Sequence, residues 1–293
     1  MNARDFKTVE TSRRDNPFIR FLYNTAPGRA ALRLLTAGAV SKIFGVFMNS
    51  RTSRLLIPWF VRRNRIDMSE YADKKYASFN DFFTRKAKEG ARAFSKVLSD
   101  LPAPCDGKLT AYAIAANSAF QIKGSVYTLN SLLKDKALAD EFAGGVCLVF
   151  RLTPDDYHRY AFVDDGETVS RKRINGVLHT VRPIACRRFN VYAQNTREYA
   201  VMNTKRFGKI VQMEVGALFV GRISNRPRKD SFKRGEEKGM FEFGGSTVVM
   251  LFQKNAVTID DAIRENTRKN KETVVKMGCK IGEKTLGVKR WFK

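Results

Sequence analysis

The sequence predicts an α+β protein, with an amphipathic helical region over residues 1–93 followed by a largely antiparallel β domain over residues 94–293. Two observations predict it. Between Asn16 and about Arg65, apolar residues recur at helical spacing. Beyond Ala93 the texture changes to short alternating or apolar runs separated by Gly, Asn and Asp turns. The most unusual of these stretches is Met240–Phe252, MFEFGGSTVVMLF, in which Gly244, Gly245, Ser246 and Thr247 interrupt two apolar runs. A glycine break inside a strand pattern reads first as a bulge or a tight bend.

In the helical region, Leu32, Leu34, Leu35, Val40, Ile43, Phe44 and Phe47 share a broad apolar face, with Arg29, Arg33 and Lys42 between or beside them. Lys42 and its small and polar neighbours leave no uninterrupted run of about 18 apolar residues, so a membrane-spanning helix is not expected. A second apolar patch, Leu55 to Val61, ends abruptly in Arg62, Arg63, Asn64 and Arg65. Apolar and aromatic groups beside a basic cluster suit the headgroup region of an anionic bilayer; the alternative is that these helices only cover the main domain. Asp67 to Lys75 is a polar connector. Ser78, with Asp81 three residues on, caps a short helix through Phe79, Asn80, Asp81, Phe82 and Phe83.

In the β part, strands are expected at Leu109–Ile114, Gly145–Leu152, Gly176–Val181, Lys209–Ile223 and Thr247–Phe252. A helix follows near Asp261–Lys269, and then a glycine-punctuated hairpin around Met277–Gly282. No fixed-period repeat is present.

Composition narrows the function classes. Lys and Arg number 54 against 29 Asp and Glu, a formal charge of +25, which attracts polyanions: nucleic acid or an anionic membrane surface. The four cysteines, Cys105, Cys147, Cys186 and Cys279, form no CxxC pair, and with two histidines the chain lacks zinc-ligand spacing, so no metal is expected. The charged N-terminus has no apolar core of a signal peptide, which points to reduced thiols and a cytoplasmic setting.

Three polar spots in the β part carry candidate chemistry. Pro104-Cys105-Asp106-Gly107 places a carboxylate at a turn, Asp155-Asp156-Tyr157-His158-Arg159 holds one of the two histidines, and Gly244-Gly245-Ser246-Thr247 holds a hydroxyl. Acid, base and hydroxyl are the parts of a nucleophilic triad, but Ser246 lies in no G-x-S-x-G elbow.

These blocks, in this order, resemble the phosphatidylserine decarboxylase proenzymes, a family of pyruvoyl-dependent decarboxylases. The resemblance is carried by SFNDFFTRKAKEGARAF at 78–94, PCDGKLTAY at 104–112, RLTPDDYHRYAFVDDG at 151–166, GVLHTVRPIA at 176–185, NTREYAVMNTKRFGKIVQMEVGALFVGRI at 195–223 and KRGEEKGMFEFGGSTVVMLF at 233–252. It implies that Ser246 attacks the carbonyl of Gly245, that the chain is cut between them, and that Ser246 becomes a covalent pyruvoyl group heading a small subunit, 246–293, bound to a large subunit, 1–245. That group serves as the electron sink for decarboxylation of phosphatidylserine to phosphatidylethanolamine. The family's catalytic Asp and His fall on Asp106 and His158, with Asp106 expected to orient His158.

Two positions depart from the family pattern. Many relatives have a second histidine where this chain has Ala161, so either His158 covers both proton-transfer duties or His179 helps. Arg182 stands where asparagine is common; it either meets the lipid phosphate or adds surface charge. Thr247 either hydrogen-bonds near the scissile bond or packs. The resemblance also implies a peripheral position at the cytoplasmic face of an anionic membrane, and it points away from nucleic acid. It leaves open whether the heterodimer forms a homo-oligomer. Two other readings stay open on the residues: a basic nucleic-acid-binding β protein, or an inactive lipid-binding relative.

Overall fold

The computed structural model describes residues 6–10, 17–36, 38–122, 125–186, 189–217, 222–227, 230–244 and 246–286. The N-terminal region is helical, with helices Pro17–Asn24, Ala26–Leu35, Gly38–Met48, Ile57–Asn64 and Phe79–Phe83. Pro17–Asn24 is amphipathic: it buries Leu22 and Tyr23 while Phe18 and Phe21 face outward. Ile57–Asn64 starts with Pro58 in its first turn, where a missing N–H costs nothing, and stops at Arg65 in the left-handed conformation (φ 52°). Ser78 caps the last of these helices by accepting the N–H of Asp81, as its spacing predicts. Among the described residues no helix is long and apolar enough to cross a membrane.

The β part is organised around a nine-stranded antiparallel sheet among the described residues. Its order is Thr8–Glu10, Lys271–Val275, Gly107–Ala113, Val146–Leu152, Ser246–Phe252, Gly208–Gly216, Arg197–Thr204, Gly166–Ile174 and Ser231–Phe232. Ser246–Phe252 is the fifth, and all seven of its residues are buried. Burial on both faces explains why this strand reads as a continuous apolar run and not an alternating one. Two three-stranded sheets flank it: Ile223–Asn225, Glu237–Phe241 and Arg159–Ala161 in one, Val257–Ile259, Lys280–Lys284 and Asp100–Pro102 in the other.

The two runs of MFEFGGSTVVMLF therefore belong to different sheets. Glu237–Phe241 lies in a small sheet and Ser246–Phe252 in the large one, so the glycines carry the chain from one sheet to the other.

Two apolar clusters hold the molecule together. The larger fills the β part and takes in Leu22, Tyr23 and Leu32 from the first two helices. The smaller is aromatic: Phe60, Phe79, Phe82 and Phe83 from the helices, with Tyr157 buried among them and Phe243 packed against them. The helical region thus reaches the segment beside Ser246.

Four sequence expectations change. The strand expected over Lys209–Ile223 is divided: Gly208–Gly216 lies in the large sheet, and Ile223 opens a strand of a flanking one. Gly176–Val181 is not a strand. Val177 makes one isolated bridge to Asn195, and the N–H groups of His179 and Thr180 donate to the Asn195 and Tyr23 side chains (both 3.0 Å), so tertiary contacts replace a ladder. Met277–Gly282 is a turn between strands of two sheets, not a hairpin: Gly278 sits at φ +85°, and the Met277 N–H is drawn to Asp106. Thr8–Glu10, inside the stretch expected to be helical, pairs with Lys271–Glu272–Thr273 at the sheet edge.

Candidate active site

The segment leading to Ser246 is pinned one residue at a time. The Phe241 N–H donates to the His158 carbonyl (2.9 Å), the Glu242 N–H to the Arg222 carbonyl (3.0 Å), and the Phe243 N–H to Asn80 Oδ1 (3.0 Å). Gly244 then adopts φ +141°, a region that side chains rarely tolerate. Gly245 lies outside the described residues. Ser246 opens the fifth strand, in register with Gly216 on one side and Leu152 on the other. Its hydroxyl is fully buried and has no hydrogen-bond partner among the described residues. A buried hydroxyl left unpaired costs free energy, about 1–3 kcal/mol; those of Tyr127, Thr168 and Thr247 share this state among the described residues.

His158 is also fully buried. Its Nδ1 lies 2.9 Å from the backbone carbonyl of Asp156. A carbonyl oxygen accepts only, so Nδ1 carries the hydrogen and the Nε2 lone pair is bare. Nε2 is buried and has no partner among the described residues. Burial pushes the imidazole well below its ordinary pKa, and the cationic side chains of Arg85 and Lys108 push the same way, against the Asp156 carbonyl. The result is a neutral imidazole presenting an unprotonated nitrogen, the form a general base requires.

Asp106 does not orient this ring. Both its oxygens are taken by Arg92 (Nε to Oδ1 2.8 Å, Nη2 to Oδ2 2.7 Å), and Oδ1 also accepts the Met277 N–H at 2.8 Å. The expected Asp106–His158 bond is replaced by the Asp156 carbonyl because a buried bidentate ion pair already saturates the carboxylate. In the same turn, the Pro104 carbonyl accepts the N–H of Ala161 at 2.8 Å, in the strand that begins beside His158.

His179 is half-buried, stacked on Phe189 with ring centroids 4.4 Å apart, and its Nδ1 lies 3.4 Å from the Tyr23 hydroxyl. Burial lowers its pKa. Its loop is tied towards Ser246 by Asn195, whose Nδ2 donates to the carbonyls of His179 (2.8 Å) and of Gly216 (2.7 Å), the register partner of Ser246. Arg182 is exposed on the same loop. Thr247 is buried with its Oγ1 unpartnered, but the pleat turns it to the opposite face from Ser246, in the row of Arg151 and Val215. Side-chain hydrogen bonding by Thr247 at the scissile bond is therefore not favoured.

Sequence reasoning missed Asn80, Phe83, Arg92 and Asn195 as supports of the site. Asn80 and Phe83 stand in the capped block SFNDFF, which reads only as a helix start. Among the described residues no cluster of three or more His, Cys, Asp and Glu is placed to hold a metal ion.

Residues 79–283 match the family model described as "Phosphatidylserine decarboxylase". The chain belongs to the phosphatidylserine decarboxylase family. It is 49% identical over 282 residues to "Phosphatidylserine decarboxylase proenzyme 2" of Clostridium acetobutylicum, covering 96% of this chain and 97% of that relative. It is 40% identical over 267 residues to a phosphatidylserine decarboxylase proenzyme of Ruminiclostridium cellulolyticum, covering 89% of each, and 41% identical over 270 residues to one of Fusobacterium nucleatum, covering 90% of each. Members of the phosphatidylserine decarboxylase family are carboxy-lyases, and the relatives' names mark them as proenzymes.

Proposed function

We propose that this chain is a proenzyme that cuts itself between Gly245 and Ser246 and, as subunits 1–245 and 246–293, decarboxylates phosphatidylserine to phosphatidylethanolamine. The observation that carries the reading is the Ser246 hydroxyl, buried and unpartnered among the described residues, at the head of a buried strand two residues after Gly244 at φ +141°.

In this reading, Ser246 Oγ gives up its proton to a base as it attacks the Gly245 carbonyl. The peptide C–N bond breaks and the amine leaves protonated, so the acyl group passes from nitrogen to oxygen. Removal of the residue-246 Cα proton then expels the Gly245 carboxylate. The dehydroalanine left behind takes up water and loses ammonia, leaving a ketone at the new N-terminus. His158 is the base, since its Nε2 is bare and buried. Asp106, through Arg92 and Met277, is a positioning residue.

The residues present fit a pyruvoyl group derived from Ser246: the position is buried, and the neutral His158 offers a proton acceptor without a competing partner among the described residues. When formed, the group supplies the electron sink for loss of CO2. His158 holds or returns the proton at the carbon that CO2 leaves, and His179 and Arg182 meet the headgroup from the loop that Asn195 ties to Gly216.

The substrate is reached at an anionic bilayer. Phe18, Phe21, Ile43, Val46, Phe47, Leu55 and Trp59 are all exposed, and all lie in the helical region 1–93. Leu55 and Trp59, 77% and 57% exposed, stand beside Arg62 and Arg63, with the Arg63 guanidinium 5.1 Å from the Trp59 ring. Aromatic and aliphatic groups edged by arginine suit a peripheral contact with anionic headgroups, which leaves residues 94–293 as the catalytic part. The intact mass of purified protein tests the whole reading. Two polypeptides are expected, the smaller lacking a free amino terminus, and Ser246→Ala is expected to remain a single inactive chain; a cleaved Ser246→Ala protein overturns the mechanism.

A further inference from the structure

We infer that Asn80 is a positioning residue for the self-cleavage, holding the strand approach from which the Gly245 carbonyl is offered to Ser246. The inference rests on the proposed self-cleavage and adds to it the side chain that sets the geometry.

Between the two sheets the chain has little freedom. On the far side, Ser246 is locked into ladders with Gly216 and Leu152. On the near side, Phe241 and Glu242 are held by backbone carbonyls, and Phe243, the last residue before the two glycines, is held by the Asn80 side chain. Gly244 and Gly245 are all that lies between these anchors. Where the Phe243 N–H is fixed therefore limits where the next carbonyls can lie, and a displacement of about 1 Å at a reacting group is enough to slow a reaction severely.

Asn80 suits this role chemically. It is 8% exposed, in the helix Phe79–Phe83, and both ends of its amide are used: Oδ1 accepts from Phe243, and Nδ2 donates to Asn49 Oδ1 at 3.1 Å. The roles cannot be exchanged, because the Phe243 N–H requires an acceptor. One turn on, Phe83 lies 3.9 Å, centroid to centroid, from the base His158 and 5.1 Å from Phe243. One five-residue helix thus supports both the base and the approach to the scissile bond.

The test monitors conversion of full-length protein to two polypeptides in Asn80→Leu, Asn80→Asp and Asn49→Ala, alongside melting temperature. Asn80→Leu removes the acceptor at nearly constant size and is expected to cleave about tenfold more slowly, the factor set by one lost buried hydrogen bond. Asn80→Asp keeps the acceptor but loses the Asn49 bond and the bond to the Glu242 carboxylate, and it buries a charge beside Glu242. It is expected to melt lower than Asn80→Leu yet cleave faster, an inversion that a purely structural role does not produce. Asn49→Ala is expected to cleave at the wild-type rate. Rates that track melting temperature across the series, or a folded Asn80→Leu protein that cleaves like wild type, overturn the inference. Wild-type protein that never cleaves defeats the cleavage reading itself, a separate outcome.

Discussion

Phe83 lies against His158 with ring centroids 3.9 Å apart and planes inclined by 36°. The contact keeps water from a ring that already has no exposed surface, and that dryness is the main reason its pKa falls. Folded His158 thus releases its proton at a lower pH than an unfolded histidine, whose pKa is about 6.5.

Below about pH 6.5 the unfolded chain binds a proton that the folded chain does not, so stability falls on acidification. Urea melts at pH 7.5 and 5.5 are expected to show this loss, and His158→Gln is expected to reduce it. The cleavage rate of the wild type is expected to stay level from neutral pH down through about 6.5 and to decline only in more acidic buffer.

Removing Asp106 strands Arg92, whose side chain is only 4% exposed and keeps just Glu70 as an anionic partner. Asp106→Ala is expected to lose about 3–5 kcal/mol of stability. Arg92→Leu strands Asp106 in turn. A double-mutant cycle by denaturant unfolding is expected to give strong coupling, of about 1–3 kcal/mol, because the two substitutions delete one interaction.

Lys238 and Glu214 form a buried ion pair, 2.7–2.8 Å at both carboxylate oxygens, that joins the strand Glu237–Phe241 to the large sheet. Lys238→Met leaves Glu214 buried without its cation, keeping the Asn225 amide as a donor, and is expected to cost about 3–5 kcal/mol. Adding Glu214→Gln is expected to recover a large part of that loss, measured as the shift in urea midpoint.

Arg62→Gln with Arg63→Gln removes two charges from the exposed Leu55–Trp59 surface. At about 1 kcal/mol per basic residue, partitioning onto phosphatidylserine-containing vesicles in low salt is expected to weaken by roughly thirtyfold. Trp59→Ala is expected to weaken it also, but with little dependence on salt. Vesicle co-sedimentation across a salt series reads both.

The architecture was legible where local pattern and tertiary role agree. Leu109–Ile114, Gly145–Leu152 and Thr247–Phe252 each correspond to strands of the large sheet, and Asp261–Arg268 is the expected helix, capped by Asp260. Strands Gly166–Ile174 and Arg197–Thr204 were not legible, since charged residues such as Arg171, Lys172 and Glu198 break the apolar signal near the sheet's outer side. In the site, Ser246 stood out through its company with Asp106 and His158 and through the family resemblance; its two glycines by themselves read first as a bend. The support of His158 was not legible. Its partner is a backbone carbonyl, to which every residue type contributes alike, and Asp106 is diverted by Arg92, fourteen positions earlier, through a contact that only the fold creates.

Because the chain passes from one sheet to another at Gly244–Gly245, a cut there leaves two pieces that remain interwoven. The 246–293 piece supplies the fifth strand of the large sheet, its Lys271–Val275 strand, and two of the three strands in a flanking sheet. It is threaded through the interior and does not sit on the surface. The proenzyme folds as one molecule, but the cut enzyme, once unfolded, must reassemble from two, and its recovery becomes second order in concentration. Under the proposed cleavage, maturation turns a fold that one chain can make into one that two chains must make together.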